Sequence, residues 1–273
     1  RSCEEAQAPR FSVWVPMTSI IVLGLSAICV FAATLSYAVE ETDILVYYSF
    51  DRLNGKKVLD DSGNGNEAEL VGKGSLVDGA FKKAVRLNGG VVQMAANDFI
   101  VPIGQKGVIT MEAWFYLNAH NAYDGIISIE AAAAGCCEYR IMVNPTFNPF
   151  WDAGHHADKS LGNFKFELDE WYHYVMVADG KDGKIYINGE FIGAQPENFD
   201  LPEHKEAAIY IGAGENPNVH RVEDAIIDEV VIYAKALTEE EIQASMEMSV
   251  PGVLAVEARG KLTTTWGELK TDF

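Results

Sequence analysis

Between residues 44 and 235, short apolar runs alternate with turns rich in glycine, asparagine and aspartate, which is the rhythm of an all-β domain. Strands are predicted at 44–50, 83–88, 108–117, 125–130, 139–143, 164–168, 171–179, 184–189, 208–212 and 225–233. So many short, twisted strands pack as two sheets rather than one open sheet, so an antiparallel two-sheet sandwich is expected. Strand 108–117 divides by alternation into Ile109, Met111, Ala113, Phe115 and Leu117, read as core, and Val108, Thr110, Glu112, Trp114 and Tyr116. The second set is amphipathic, as on an outer face that is concave and only partly covered.

Turn and helix signals agree with this pattern. Asp182-Gly183 and Asn188-Gly189 fall between strand runs and are expected to be hairpin turns. Thr238 followed by Glu241 is a capping box, with acidic residues in the first turn, and predicts one short C-terminal helix. The segment after Met248 has no sandwich pattern and reads as an appended tail, 249–273.

The stretch IIDEVVIY at 226–233 carries a chemical question. Strict alternation puts Asp228 on one face with Ile226, Val230 and Ile232, and Glu229 on the other. A carboxylate carried into a core costs several kcal/mol unless it is compensated, so Asp228 needs a definite partner.

The apolar run from Met17 to Ala38 reads as an export signal, with Ser36 and Ala38 as the small residues of a cleavage site and a mature chain from Val39. A retained anchor helix is the alternative, and the only membrane contact expected is through such an uncleaved segment. The expected organisation is a signal region at 1–38, a sandwich at 39–248 and the tail. With 40 acidic and 21 basic residues the formal charge is -19, which repels phosphate backbones and excludes nucleic acid as a partner. A secreted or periplasmic location is expected. Cys136 and Cys137 are neighbours and cannot close an ordinary loop, and neither CxxC nor a zinc spacing is present.

The ordered set VYYSFD (46–51), DDSGNGNEAEL (60–70), AVRLNGG (84–90), ITMEAWFYL (109–117), EWYHYVMVADGKDGKIYINGE (170–190), IYIGAG (209–214) and IDEVVIYAKALTEEEI (227–242) resembles the laminin-G-like jelly-roll family of the concanavalin A-like lectin/glucanase superfamily. The resemblance covers nearly all of 44–245. It departs from the family at Glu223, Asp224 and Ala225, where a glycine or basic residue is usual, and in an insert at 144–163. It implies two curved antiparallel sheets with close termini, in which the first and last strands meet.

Candidate sites follow. The resemblance brings Asp51 near Asp228, and with Asp61, Asn64 and Asn66 of the DDSGNGN loop they form an oxygen-rich set suited to a structural Ca²⁺ that pins the domain ends together. The alternative is that backbone N–H groups or an arginine such as Arg86 hold Asp228. The insert at 144–160 offers Phe150, Trp151 and His155 as a ligand-binding edge, or else a self-packed closure of the sandwich; Trp114 and Tyr116 are a second platform. His173 reads as a packed sheet residue. The glucanase members place catalytic carboxylates two residues apart on one strand; here GIISIE offers only Glu130, and no catalytic motif is found. The expected function is a secreted binding or adhesion module for carbohydrate or an extracellular protein, the alternatives being a divergent carbohydrate-active enzyme or a ligand-free structural domain.

Overall fold

The computed structural model describes residues 39–103, 107–131, 137–153, 159–160, 163–196 and 206–249. The segment expected to be an export signal, the tail beyond residue 249, Cys136, His155 and His156 lie outside the described residues, and the side chain of Cys137 is likewise not described. No helix among the described residues is long and apolar enough to cross a membrane.

Strands are numbered β1 to β17 in chain order. The first sheet contains β1 (Ile44–Tyr48), β5 (Gly74–Asp78), β6 (Lys83–Leu87), β8 (Val108–Ala119), β13 (Trp171–Asp179), β14 (Asp182–Ile187), β15 (Glu190–Pro196) and β17 (Asp224–Tyr233). Its order is β15-β14-β13-β8-β17-β6-β5, with β1 also paired to β17. The second sheet contains β2 (Leu53–Asn54), β3 (Lys57–Val58), β4 (Ala68–Val71), β7 (Val91–Asn97), β9 (Asp124–Ala131), β10 (Cys137–Val143), β11 (Pro149–Ala153), β12 (Lys159–Ser160) and β16 (Ala207–Ile211). Its order is β12-β11-β10-β9-β16-β7-β4-β3-β2. The two antiparallel sheets form a sandwich. The first and last strands pair, as expected, through Tyr47 opposite Val231 and Tyr48 opposite Val230.

The inward face of β8 is the one alternation predicts: Ile109, Met111, Ala113, Phe115 and Leu117 all belong to the core between the sheets. A second apolar cluster lies on the outer face of the first sheet, where Val175, Val177, Val231 and Tyr233 pack against Leu237 and Ile242. Ile242 belongs to α1 (Glu239–Glu247), so this helix covers part of that face. Its capping box forms as predicted, with Thr238 Oγ1 accepting from Glu241 N at 3.3 Å and Glu241 Oε2 accepting from Thr238 N at 2.8 Å.

Three expectations are corrected. The Asn188-Gly189 turn forms, both residues having positive φ, but Asp182 and Gly183 lie inside β14 and the preceding turn is centred on Gly180. Residues 164–168 form no strand: Phe166 instead packs edge-on against Phe115 at 5.1 Å. The insert is in part a β-hairpin of β10 and β11, and its Trp151 faces inward, 0% exposed. The indole lies directly on Gly183, where any β-carbon would overlap it, so Gly183 serves close packing rather than a turn.

Alternation also fails at the position that raised the question. Asp228 pairs with Trp114, yet the next partners are Val231 and Glu112, so Glu229 and Val230 together oppose Ala113. This is a β-bulge, with Glu229 in the left-handed region at φ 47°. It reverses the phase of the strand. Ala225 and Ile227 face the core before it and Val230 and Ile232 after it. Asp228 therefore lies on the outer face of the sheet, not the inner side. Glu229 lies on that face as well, so the two carboxylates are neighbours.

Candidate functional site

The outer face of the first sheet presents a cross-strand row: Trp171 on β13, Tyr116 on β8, Ile226 on β17, Arg86 on β6 and Ser75 on β5. One row further on lie His173, Trp114 and Asp228. Because side chains two residues apart share a face, the aromatic members of both rows meet. Ring centroids are 5.6 Å apart for Tyr116–Trp171, 6.5 Å for Trp114–Trp171 and 6.2 Å for Phe81–Trp114. Phe81 comes from the β5–β6 turn.

Of these rings Phe81, Trp114 and Trp171 line a shallow pocket of about 330 Å³ together with Gly79, Ala80 and Met246, and Tyr116 stands beside it against Trp171. One wall is the turn, the other the last part of α1. The neighbouring rim is polar. Asp169 lies beside the Tyr116 hydroxyl, and Arg86 forms a bidentate pair with Asp224, Nε to Oδ1 at 2.8 Å and Nη2 to Oδ2 at 2.6 Å.

Behind the floor is a buried acid layer. Glu112 accepts from Tyr233 Oη at 2.6 Å and Ser245 Oγ at 2.8 Å, and lies 3.2 Å from His173 Nε2. His173 in turn lies against Trp114, ring centroids 5.3 Å apart, and is a packed sheet residue as its alternation predicts. Glu229 Oε2 accepts from Tyr47 Oη at 2.8 Å. Burial pushes the Glu229 carboxyl up to about 8, the Tyr47 hydrogen bond opposing and the adjacent Asp228 reinforcing the shift. Asp228 is pushed up to about 7, again by burial, against the pull of backbone N–H donors.

The partner of Asp228 is the β5–β6 turn. Its Oδ2 accepts from Phe81 N at 2.9 Å and its Oδ1 from Glu229 N at 2.9 Å. Asp51 holds the same turn from the other side, accepting from Lys82 Nζ at 2.6 Å and Lys83 N at 3.3 Å. The two aspartates expected to share a calcium ion thus share a turn, whose amides and one ammonium occupy their oxygens.

The remaining members of the expected metal set point elsewhere. Asp61 accepts from Ser49 Oγ at 2.6 Å and Arg52 Nη2 at 3.1 Å. Asn64 and Asn66 turn their amide nitrogens toward β1, donating to Ile44 O at 2.7 Å and Leu45 O at 2.9 Å. These amide nitrogens fasten the loop to β1, and the Asn66 Oδ1 accepts from Asn97 Nδ2 at 2.8 Å. The organiser of the loop is Asp60, which accepts from Tyr47 N, Ser62 N and Asn66 N. No group of three or more His, Cys, Asp or Glu placed to hold a metal occurs among the described residues.

The expected binding edge in the insert is redistributed. Trp151 is sealed in the core and so presents no face to a ligand. Phe150, 7% exposed, is covered by the Arg140 guanidinium at 5.6 Å and meets Tyr123 edge-on at 5.3 Å. Trp114 and Tyr116 do share an open face. Trp171 and Phe81 join them without having been singled out: Trp171 was visible in EWYHYV as an alternating aromatic, but its register against Tyr116 belongs to the pairing of β8 with β13.

The model of the concanavalin A-like lectin/glucanases superfamily matches residues 88–243. None of the curated proteins matches the chain. Among solved structures, Trypanosoma rangeli sialidase in complex with sialic acid superposes with a TM-score of 0.59 and 15% identity, over 74% of this chain and 32% of that one. Domain 4 of an extracellular arabinanase from Geobacillus stearothermophilus, in complex with arabinotriose, gives 0.56 and 19%, over 75% and 98%. The binding domain of Paraclostridial Mosquitocidal Protein 1 gives 0.58 and 20%, over 76% and 52%. The chain therefore spans about a third of the sialidase and nearly all of the arabinanase domain. At such identities these likenesses establish the fold.

Proposed function

The chain belongs to the concanavalin A-like lectin/glucanase superfamily, and from that premise we propose that it is a carbohydrate-binding module acting outside the cell. The observation that carries this reading is the continuous row of aromatic rings, Tyr116, Trp171, Trp114 and Phe81, of which the last three line the pocket, bordered by the Tyr116–Asp169 and Arg86–Asp224 pairs. Flat aromatic faces stack on the C–H faces of sugar rings, while carboxylate, guanidinium and phenol groups exchange hydrogen bonds with ring hydroxyls. The pocket volume of about 330 Å³ suits a short saccharide segment rather than a buried cofactor. The arabinotriose complex of the arabinanase domain lends support by analogy of fold.

A hydrolytic reading would need paired carboxylates facing substrate. The bulge does bring Asp228 and Glu229 side by side, but they are 0% and 6% exposed beneath the turn and β1. Binding is therefore the reading the geometry favours.

A glycan array followed by tryptophan-fluorescence titration tests it. Trp114→Ala and Trp171→Ala should each weaken binding of the best glycan by at least about tenfold, the loss usual for an aromatic anchor. Retention of affinity by both variants, or binding of an extracellular protein and of no glycan, overturns the assignment.

A further inference from the structure

The charges around the aromatic pocket bear on which sugars can enter it. The β5–β6 turn and β6 carry Lys82, Lys83 and Arg86, and an aspartate holds each of these cations. Lys82 Nζ lies 2.6 Å from Asp51 Oδ2, Lys83 Nζ lies 2.6 Å from Asp78 Oδ1, and Arg86 spends Nε and Nη2 on the two oxygens of Asp224. On the side of α1, Lys235 is held by Glu241 Oε1 at 2.6 Å. The acids are not matched in the same way. Asp169 and Glu170 lead into Trp171 and act on the Tyr116 hydroxyl beside it. Among the described residues neither makes an ion pair, and Asp169 accepts only from the neutral Asn118 Nδ2, at 3.4 Å.

We propose that the site takes uncharged oligosaccharides and rejects those bearing carboxylate or sulfate groups, such as uronates and sialic acid. The inference rests on the glycan reading and adds the substrate class to it.

The reason is the state of the cations. An acidic sugar is held by Arg or Lys donors, best by the fork of a guanidinium, and here that fork is already filled by Asp224. To use it, the sugar would have to displace a carboxylate and leave Asp224 without its partner, a half-buried charge with no compensation. It would do so beside Asp169 and Glu170 and in the field of a chain of formal charge -19. A neutral sugar meets no such opposition. Its hydroxyls both donate and accept, and a guanidinium–carboxylate pair offers donors and acceptors side by side, so they can bond to the pair without breaking it.

An array of matched glycans, probed with the whole protein, is the test: galactotriose against trigalacturonate, and cellotriose against the β-1,4-linked glucuronate trimer, with arabinotriose and sulfated and sialylated glycans alongside. A neutral member should bind at least about tenfold tighter than its carboxylated partner at about 20 mM salt, and the preference should shrink at about 500 mM, where screening is nearly complete. Binding confined to neutral glycans, arabinotriose included, supports the same class. Glu170→Lys, and Asp224→Asn, which releases Arg86, should each narrow the ratio of the two affinities by at least about threefold. Glu170 is exposed, so its variant remains informative if Asp224→Asn does not fold. A ratio unchanged by the variants that fold overturns the assignment of selectivity to this rim. Equal or tighter binding of the carboxylated, sulfated or sialylated forms overturns the substrate class while the carbohydrate reading stands. No binding of any glycan defeats the carbohydrate reading and this inference with it.

Discussion

The backbone N–H of Phe81 donates to Oδ2 of Asp228 at 2.9 Å, joining residues 147 apart in sequence. One end of that bond sits at the wall of an aromatic pocket, the other in the bulge of the last strand. The bond explains why an acidic residue is carried into an apolar strand: it fastens the β5–β6 turn across the sheet.

The stability of the domain should fall as pH rises from 5 to 8. Asp228 and Glu229 have folded-state values of about 7 and about 8, above those of unfolded carboxyls, so their protonated forms support the fold. That contribution is complete below about pH 4 and is lost as pH climbs through the folded values, at about 1.4 kcal/mol per pH unit for each group. Carboxyls held low, such as Asp78 by Lys83, are ionised throughout this window and do not offset it. Denaturant midpoints at pH 5, 6, 7 and 8 measure the slope, and Glu229→Gln should reduce it by about half.

Trp151→Ala should cost about 3–5 kcal/mol, the range for emptying a large core site, and leave any glycan affinity of the folded fraction unchanged. Trp114→Ala and Trp171→Ala, at half-exposed positions, should cost less stability and lose binding. Urea unfolding alongside fluorescence titration separates the two classes. The reverse pattern would return the binding edge to the insert.

Gly183→Val should be among the most damaging small substitutions, because the new side chain must displace the Trp151 indole. Pairing it with Trp151→Ala should recover part of the loss. A double-mutant cycle showing additive losses would refute the contact.

Excess chelator should leave the melting temperature unchanged. The oxygens of Asp51 and Asp228 accept from the turn, from Lys83 N and from Glu229 N, and the Asn66 Oδ1 accepts from Asn97 Nδ2. A melting temperature lowered by chelator and restored by calcium would establish a structural metal and require these groups to rearrange around it.

Thr238→Ala should destabilise by about 1 kcal/mol, since Thr238 caps α1 and α1 supplies both Met246 of the pocket and Ser245 on Glu112. Comparison of thermal midpoints with the parent protein is sufficient.

Much of the fold is legible from short-range pattern. The inward set of β8, the Asn188-Gly189 turn and the capping box all form as read, because each depends on residues within a few positions of one another. Of the candidate site, Trp114 and Tyr116 were visible as the outward aromatics of β8. Phe81 gave no periodic signal, lying in a turn between two strands, and Trp171 became a site residue only through its register against Tyr116.

The amino-acid sequence by itself determined that this protein is a β-sandwich closed by a capped helix, since strand alternation, turn chemistry and helix capping are local physics. The tertiary structure decided the rest. Whether Trp151 faces a ligand or the core depends on its fit over Gly183, 32 residues away in the numbering and in contact only once two sheets are packed. Whether Asp228 faces inward or outward depends on one extra residue at Glu229, and a bulge leaves no mark in the run because every position from Ile227 to Tyr233 is buried on one side or the other. Pairing register and close packing are properties of distant segments brought together, and they are what set Asp228 against the β5–β6 turn.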